Sequence, residues 1–585
     1  MAAAVVTRPA EKLRQAWRRY GKLSLAAWAT LILPLPAFAQ VPPPSAAQQG
    51  ELLQRQQQER IEEDQTRILT SPRDPTIIEV PTHEPAVAAP GSCRTIDRIE
   101  FEHSPQMGAG DQQKLTKPYL GRCLGLGDVE RLLSDITRFY IDKGRPTTRV
   151  YVRPQSLAEG LLVLDIVEGR IERVELDPEA EGSLNLLTAF GPTEDTGFNL
   201  RVFEQGLDQI NRLASNNASL DILPGSRPGY SIVRIRNETR SRFHASGSYD
   251  NTGQPSTGRN QATGSILLDN MLGLNDFFSY TRRQTVFDDQ PNVDSRSNSL
   301  LFSVPLNALT FTGGYSDSFY KSQSIAAGGT VFVLSGRTAT SFGRVDAAVW
   351  RDSRNKLELS AQLSNKRNRN FINDLYLPVS SRILTTASFD ANWSLLLGRG
   401  TLRVGASWVR GLDAFGALDD SRFTLAADTP RAQFDKLTGR LALALPIDAG
   451  SVPLSYTAEL EGQYGFDPLY SSEQIVIGSP FTVRGFLRES LVGDRGAYLQ
   501  QELSALLPKR VAGLTMVFRP HAGFDVGHVG GAVRGAVRGT LAGVSAGLGL
   551  AAGPLNLDAT ISRSIARGPL RDEGLLAFVR ATLSL

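Results

Sequence analysis

The chain has 585 residues, 41% of them hydrophobic, and its 63 basic against 60 acidic side chains leave a net charge of only +3. That length allows several domains. The near-balanced charge argues against a nucleic-acid partner, which would call for a strong basic field.

The N-terminus joins Arg14, Arg18, Arg19 and Lys22 to an apolar run from Leu23 to Leu35 and a small-x-small site at Ala37-Phe38-Ala39. This predicts a secretory signal peptide over residues 1–39. The alternative, an uncleaved membrane helix, needs a longer apolar run. Beyond Gln40 no apolar stretch nears spanning length, so a mature chain that crosses a membrane does so as a closed barrel. Cys93 and Cys123 are the two cysteines. In an exported chain they favour a disulfide over two unpaired thiols, which stabilises a small domain by roughly 3–4 kcal/mol on the chain-entropy account.

Residues 40–69 are polar and rich in helix formers, with a thin apolar stripe of Leu52, Leu53, Ile61, Ile68 and Leu69. A helix so patterned suits solvent, disorder or a water-filled lumen rather than a dry core. Five prolines (Pro72, Pro75, Pro81, Pro85, Pro90) make residues 70–92 an extended linker.

Residues 93–168 predict a first α+β module. Arg94–Phe101 alternates as a strand, and Val129, Leu132, Leu133, Ile136, Phe139 and Tyr140 fall on one helical face. Asp128 is the expected N-cap and Gly144 the expected stop. Thr148–Arg153 and Leu161–Val167 read as strands. Residues 169–239 repeat the theme: a strand at Ile171–Leu176, a helix through Phe203, Leu207, Ile210 and Leu213 capped near Asn199, then strands at Leu220–Leu223 and Tyr230–Glu238.

Over residues 240–585 the helical period gives way to alternation. Leu454, Tyr456, Ala458 and Leu460 interleave with Ser455, Thr457 and Glu459; Leu357, Leu359, Ala361 and Leu363 with Glu358, Ser360 and Gln362. Alternation alone also fits a soluble sandwich. Strands of around ten residues, about sixteen in number, favour a transmembrane antiparallel β-barrel with an aqueous lumen. The last of them alternates from Leu575 to Leu585.

Catalytic signals are weak. Gly543-Val544-Ser545-Ala546-Gly547 has hydrolase-elbow spacing, but no histidine follows His528 and the setting is strand-like. His521, Asp525 and His528 do not share one strand face, so no metal site or cofactor is expected. The pair with most content is Arg484, in Val483-Arg484-Gly485-Phe486, and Asp525, in Phe524-Asp525-Val526-Gly527. One reading is a long loop folded back into the barrel, its Arg484 fork held by Asp525 on the inner wall. The other is a solvated loop charge and an unrelated lumen carboxylate.

These motifs, with the echoes Thr147-Thr148-Arg149-Val150-Tyr151 and Val167-Glu168-Gly169-Arg170-Ile171, resemble the two-partner secretion transporters, the haemolysin or haemagglutinin secretion and activation family. The resemblance covers essentially the whole mature chain. It implies two polypeptide-transport-associated (POTRA) domains ahead of the barrel, a plug formed by residues 40–69, and a loop lock of Val483, Arg484, Gly485, Phe486, Phe524, Asp525 and Gly527. It implies a Gram-negative outer-membrane location with periplasmic N-terminal domains. The implied partners are a large secreted exoprotein (an adhesin, haemolysin or toxin), the lipid bilayer and the barrel-assembly machinery. The alternatives are a barrel-assembly factor of the same superfamily, which usually carries more modules, or a small-molecule porin.

Overall fold

The computed structural model describes residues 53–55, 61, 65 and 93–585, apart from 105, 181, 289, 326–328, 451, 512 and 532–537. The expected signal peptide (1–39) and linker (70–92) lie outside the described residues, as does most of the 40–69 helix.

The first module runs β1 (Arg94–Ile96), β2 (Arg98–Glu102), α1 (Ala109–Thr116), β3 (Arg122–Leu124), α2 (Leu126–Asp142), β4 (Arg149–Val152) and β5 (Leu161–Val167). Its main sheet has the order β2-β5-β4, and β1 pairs with β3 beside it. The single strand expected over Arg94–Phe101 is broken at Asp97, where the amides of Asp97 and Arg98 both donate to the Gly160 carbonyl. Leu132, Ile136 and Tyr140 of α2 pack on Leu162, Leu164 and Ile166 of β5. Cys93 and Cys123 are joined as a disulfide. The expected N-cap needs correction. The helix starts at Leu126, so Gly125 is the N-cap and Asp128 sits three residues inside, accepting the Gly125 N–H at 3.0 Å. The apolar face, from which the start was inferred, begins one turn later than the backbone helix.

The second module runs β6 (Arg170–Leu176), α3 (Leu186–Phe190), α4 (Leu200–Asn211), β7 (Asn216–Pro224) and β8 (Tyr230–Thr239), with sheet order β6-β8-β7. Asn199 caps α4 by accepting the Arg201 N–H at 3.0 Å. This module is fastened to the barrel. Arg351, from a strand end on the module side of the barrel, bonds Glu204 (3.2 Å) and Asp208 (2.5 Å) of α4. The buried Asn275 amide donates to the Asn185 carbonyl (2.7 Å) and the Thr188 hydroxyl (2.9 Å).

The remaining chain closes into a barrel. Its first strands are β9 (Phe243–Asp250), β10 (Gln261–Asp269), β11 (Phe277–Thr285), β12 (Asp294–Leu306), β13 (Leu309–Ile325), β14 (Val331–Arg351) and β15 (Asn355–Ile372), the last carrying a short hairpin extension, β16 (Leu375–Tyr376). They continue as β17 (Arg382–Leu397), β18 (Gly400–Leu412), β19 (Asp435–Ala449) and β20 (Val452–Gly465). A loop hairpin follows, β21 (Ile475–Ile477) paired with β22 (Leu491–Gly493). The wall resumes with β23 (Arg495–Ala505) and β24 (Leu507–Val511), two parts of one strand, then β25 (Leu514–Gly530), β26 (Gly539–Ala552), β27 (Leu555–Ala566) and β28 (Leu575–Ser584). Counting β23 and β24 together and leaving out β16, the wall has sixteen antiparallel strands. β28 closes on β9 from Arg580↔Asp250 to Ser584↔Ser246.

Alternation sorts the side chains. Leu359, Leu363, Phe389, Leu460 and Phe524 are exposed on the outer surface, while Ser360, Tyr320, Asn370 and Asp525 are buried on the inner one. An outward apolar band and a polar interior are what a lipid-embedded barrel needs.

Candidate functional site

The chain between β20 and β23 does not arch away from the barrel. Its β21–β22 hairpin folds into the lumen, and its apolar tip is buried: Val483 and Phe486 pack with Ile475, Ile477, Leu491, Tyr498, Val529 and Leu541. The inner wall under the tip is unusually bare. Gly523, Gly527, Gly543, Ser545, Ser562 and Ser564 occupy inward positions of β25, β26 and β27. Any larger side chain there would displace the loop; a Cβ on Gly543 would overlap the Arg484 carbonyl, and one on Gly523 the Arg484 guanidinium. Gly485 has φ +105°, and a Cβ would lie 2.5 Å from the Ser564 amide nitrogen. Only glycine turns the chain this close to the wall.

Arg484 enters this cradle and meets Asp525, which is fully buried. The guanidinium is forked onto the carboxylate, Nε to Oδ2 at 2.7 Å and Nη2 to Oδ1 at 2.7 Å. The Arg484 backbone N–H donates to the same Oδ2 at 3.0 Å. The other guanidinium edge is also used: Nη1 donates to Glu502 Oε2 at 2.9 Å and Nη2 to the Gln501 carbonyl at 2.9 Å. A planar donor group with this many matched acceptors fixes the loop in orientation as well as position.

Of the residues singled out from the sequence, Val483, Arg484, Gly485, Phe486, Asp525 and Gly527 converge here. Gly527 leaves room for Val483. Phe524 does not converge; it is 43% exposed on the outer surface, because neighbours on a strand point to opposite faces.

The sequence reading missed three further attachments. Glu502 is shared by Arg484, Arg519 (3.0 Å) and His521 (3.5 Å), and His521 also approaches Asp558 at 3.3 Å. Inward period-two positions on β23, β25 and β27 would have flagged these groups once the register was known. On the loop's return limb, the Glu573 carboxylate accepts the backbone N–H groups of Leu487, Arg488 and Glu489 at 3.0–3.2 Å. On its outgoing limb, Glu473 is buried between Lys366 (2.9 Å) and Lys436 (3.1 Å) of the wall.

The described residues of the 40–69 segment, Leu53, Gln54, Arg55, Ile61 and Gln65, are helical, and the segment meets the inner wall. Leu53 packs on Tyr320 and Leu334. Gln54 accepts from the Asn370 amide at 3.2 Å, Gln65 donates to Ser299 at 2.9 Å, and Arg55 donates to the Gln474 carbonyl of the loop at 3.1 Å. Among the described residues the helix segment is thus tied to loop and wall mainly by polar contacts, whereas the loop tip rests on its apolar cluster as well as on the Arg484 bonds.

Comparison with known proteins gives a consistent picture. Residues 229–550 match the family described as haemolysin secretion/activation protein ShlB/FhaC/HecB, residues 94–169 a ShlB-type POTRA domain and residues 170–224 a POTRA domain. The chain is 35% identical to the outer membrane transporter CdiB of Dickeya dadantii over 71% of its own length and 73% of that protein's. It is 35% identical to the hemolysin transporter protein ShlB of Serratia marcescens over 70% and 71%. The solved structure of CdiB from Escherichia coli superposes with a TM-score of 0.81 at 26% identity, covering 94% of this chain and all of that one.

Proposed function

This chain belongs to the haemolysin secretion/activation family ShlB/FhaC/HecB, and from that premise we propose that it secretes a large partner exoprotein through its barrel. It is an outer-membrane β-barrel with periplasmic POTRA domains. Relatives carry names of haemolysin and CdiB-type transporters, and the cargo of this chain is of the same broad kind: an adhesin, haemolysin or toxin that arrives unfolded.

The observation that carries this reading is the way the lumen is filled. A loop hairpin and a polar helix segment occupy it, held by hydrogen bonds, ion pairs and small apolar contacts at specific points. Such contacts exchange for water at modest net cost; a covalent or fully apolar stopper would not move. The segment of residues 40–69 acts as a plug and the Arg484 loop as a lock, and both shift when cargo enters.

Capture takes place at the modules. The outer edge of β7 from Leu220 to Pro224 has no strand partner among the described residues. Strand addition at such an edge uses main-chain hydrogen bonds and tolerates many cargo sequences. No nucleotide is needed if folding of the cargo outside draws it through.

The test is functional and electrical. Deletion of residues 46–69 raises single-channel conductance in planar bilayers, and co-expression with a large exoprotein bearing a haemagglutinin-type N-terminus leads to its release. Unchanged current removes the plug; no release by a correctly assembled barrel removes the secretion reading.

A further inference from the structure

A second charged feature lies outside the lumen. On the outer surface of strands β11 to β15, register places Gln284, Arg296, Phe319, Arg337 and Arg369 in one lateral row, and Arg282, Asn298, Asp317, Ala339 and Arg367 in the row beneath. All five arginines are exposed. All are on the lipid-facing side, because they alternate with inward residues such as Tyr320, Asn368 and Asn370, which are buried.

The rows sit at a particular height. On β15 the outward positions are apolar from Leu357 through Leu363, then change to Asn365, Arg367 and Arg369. Arg367 is ten residues above Leu357. At about 3.3 Å per residue and a tilt near 40°, that is a rise of roughly 25 Å, the height of the apolar band of an outer-membrane barrel. The periplasmic module is fastened at the other end of these strands, through Arg351 of β14. Arg367 and Arg369 therefore stand at the level of the outer-leaflet headgroups, as does Arg296, ten residues above Leu306 on β12.

Their arrangement is not self-sufficient. Arg337 and Arg369 are direct cross-strand partners, and like charges so placed repel. The Arg296 and Arg337 guanidinium groups both lie over the Phe319 ring, at 4.8 and 5.7 Å from its centroid, so three cations share one short stretch of wall. None of the five arginines is paired with a carboxylate among the described residues. Asp317 in the lower row is hydrogen-bonded by the Asn298 amide at 3.2 Å, and Asp294, one position higher, stands across from Lys321. Among the described residues, Arg282 bonds only neutral amides, of Gln284 and Asn298.

We infer that this face binds a phosphate-bearing lipid headgroup of the outer leaflet. Arginine forks match phosphate oxygens bidentately, and Phe319 with Tyr315 and Leu363 beneath gives acyl chains an apolar surface. The bound lipid offsets the Arg337–Arg369 repulsion and tethers the β11–β15 side of the wall.

The test uses the full chain purified in an uncharged detergent, with bisphosphorylated lipid A as the probe and native mass spectrometry as the readout. Basic residues at a membrane surface contribute roughly fivefold each to binding an anionic lipid. The variant R296Q/R337Q/R369Q is expected to bind lipid A at least tenfold more weakly, whereas R354Q/R399Q, at periplasmic turns, binds as the parent does. The single variant R369Q gives a smaller loss in the same direction. Lipid A raises the Tm of the parent and not that of the triple variant, and inorganic phosphate does not displace it. Equal binding by parent and triple variant overturns the inference, as does an equal loss in R354Q/R399Q. Displacement by millimolar inorganic phosphate overturns it in favour of a free-anion site. Heat-modifiable mobility in gels checks folding, and should the triple variant not fold, R369Q alone decides.

Discussion

Removing the Arg484 side chain is the sharpest perturbation of the lock. Arg484→Ala deletes two short guanidinium bonds to Asp525, one to Glu502 and one to the Gln501 carbonyl. It leaves a fully buried carboxylate with the Arg484 backbone N–H, at 3.0 Å, as its one contact from the loop. Breaking a buried pair from one side typically costs about 3–5 kcal/mol, chiefly because the remaining charge is stranded. At 1.4 kcal/mol per power of ten, the loop-in state loses roughly two to three and a half powers of ten relative to loop-out. Asp525→Asn should cost less, about 1.5–3 kcal/mol, because Arg484 keeps Glu502 and Gln501 and no charge is stranded. The double variant should then be closer to Asp525→Asn than the sum of the two singles. The assay is disulfide trapping between a cysteine placed at Phe481 and one on the inner wall, read alongside release of a co-expressed exoprotein. Arg484→Ala should lose the cross-link and the release while the barrel still migrates as folded. Parent-like trapping together with parent-like release would refute the reasoning.

Three further outcomes follow from local geometry. Gly485→Ala should reproduce the Arg484→Ala defect in loop trapping, because φ +105° and a Cβ placed 2.5 Å from the Ser564 nitrogen expel the turn. Replacing Cys93 and Cys123 by serine should destabilise the first module by roughly 3–4 kcal/mol, seen as a fall of more than about 10 °C in its Tm, with the barrel transition unchanged. The third concerns acid. Hydrogen bonds from His103 and then Arg153 hold the Asp165 carboxyl of this module below its ordinary range. A depressed folded-state pKa adds stability that is present above the unfolded value, near 3.9, and is lost as pH falls through the folded one. Thermal melts of the module should thus weaken below about pH 4, and Asp165→Asn should flatten that dependence; an unchanged acid limb would contradict it.

The sequence by itself determined the parts whose signals are local. Alternation over residues such as Leu454–Leu460 marked the wall, the Phe203–Ile210 spacing marked α4, and two cysteines in an exported chain marked the bond that the structure contains. Arg484 and Asp525 stood out because each sits among glycines, and glycine at inward positions is the trace that a close backbone approach leaves in a sequence. The helix start at Leu126 was misplaced for a related reason: the first turn carries no buried face, so periodicity alone begins too late. Only the tertiary structure decided what surrounds the lock. Glu502, Glu573, Glu473 and Lys436 lie on different strands and loops, far apart in the chain, and nothing in their local spacing ties them together. Phe524 moved to the lipid face and Glu502 to the lumen by the same one-residue alternation. Which face is inside, and which strands' inner faces meet one loop, is set by barrel closure and register, quantities that belong to the whole sheet and to no single segment of it.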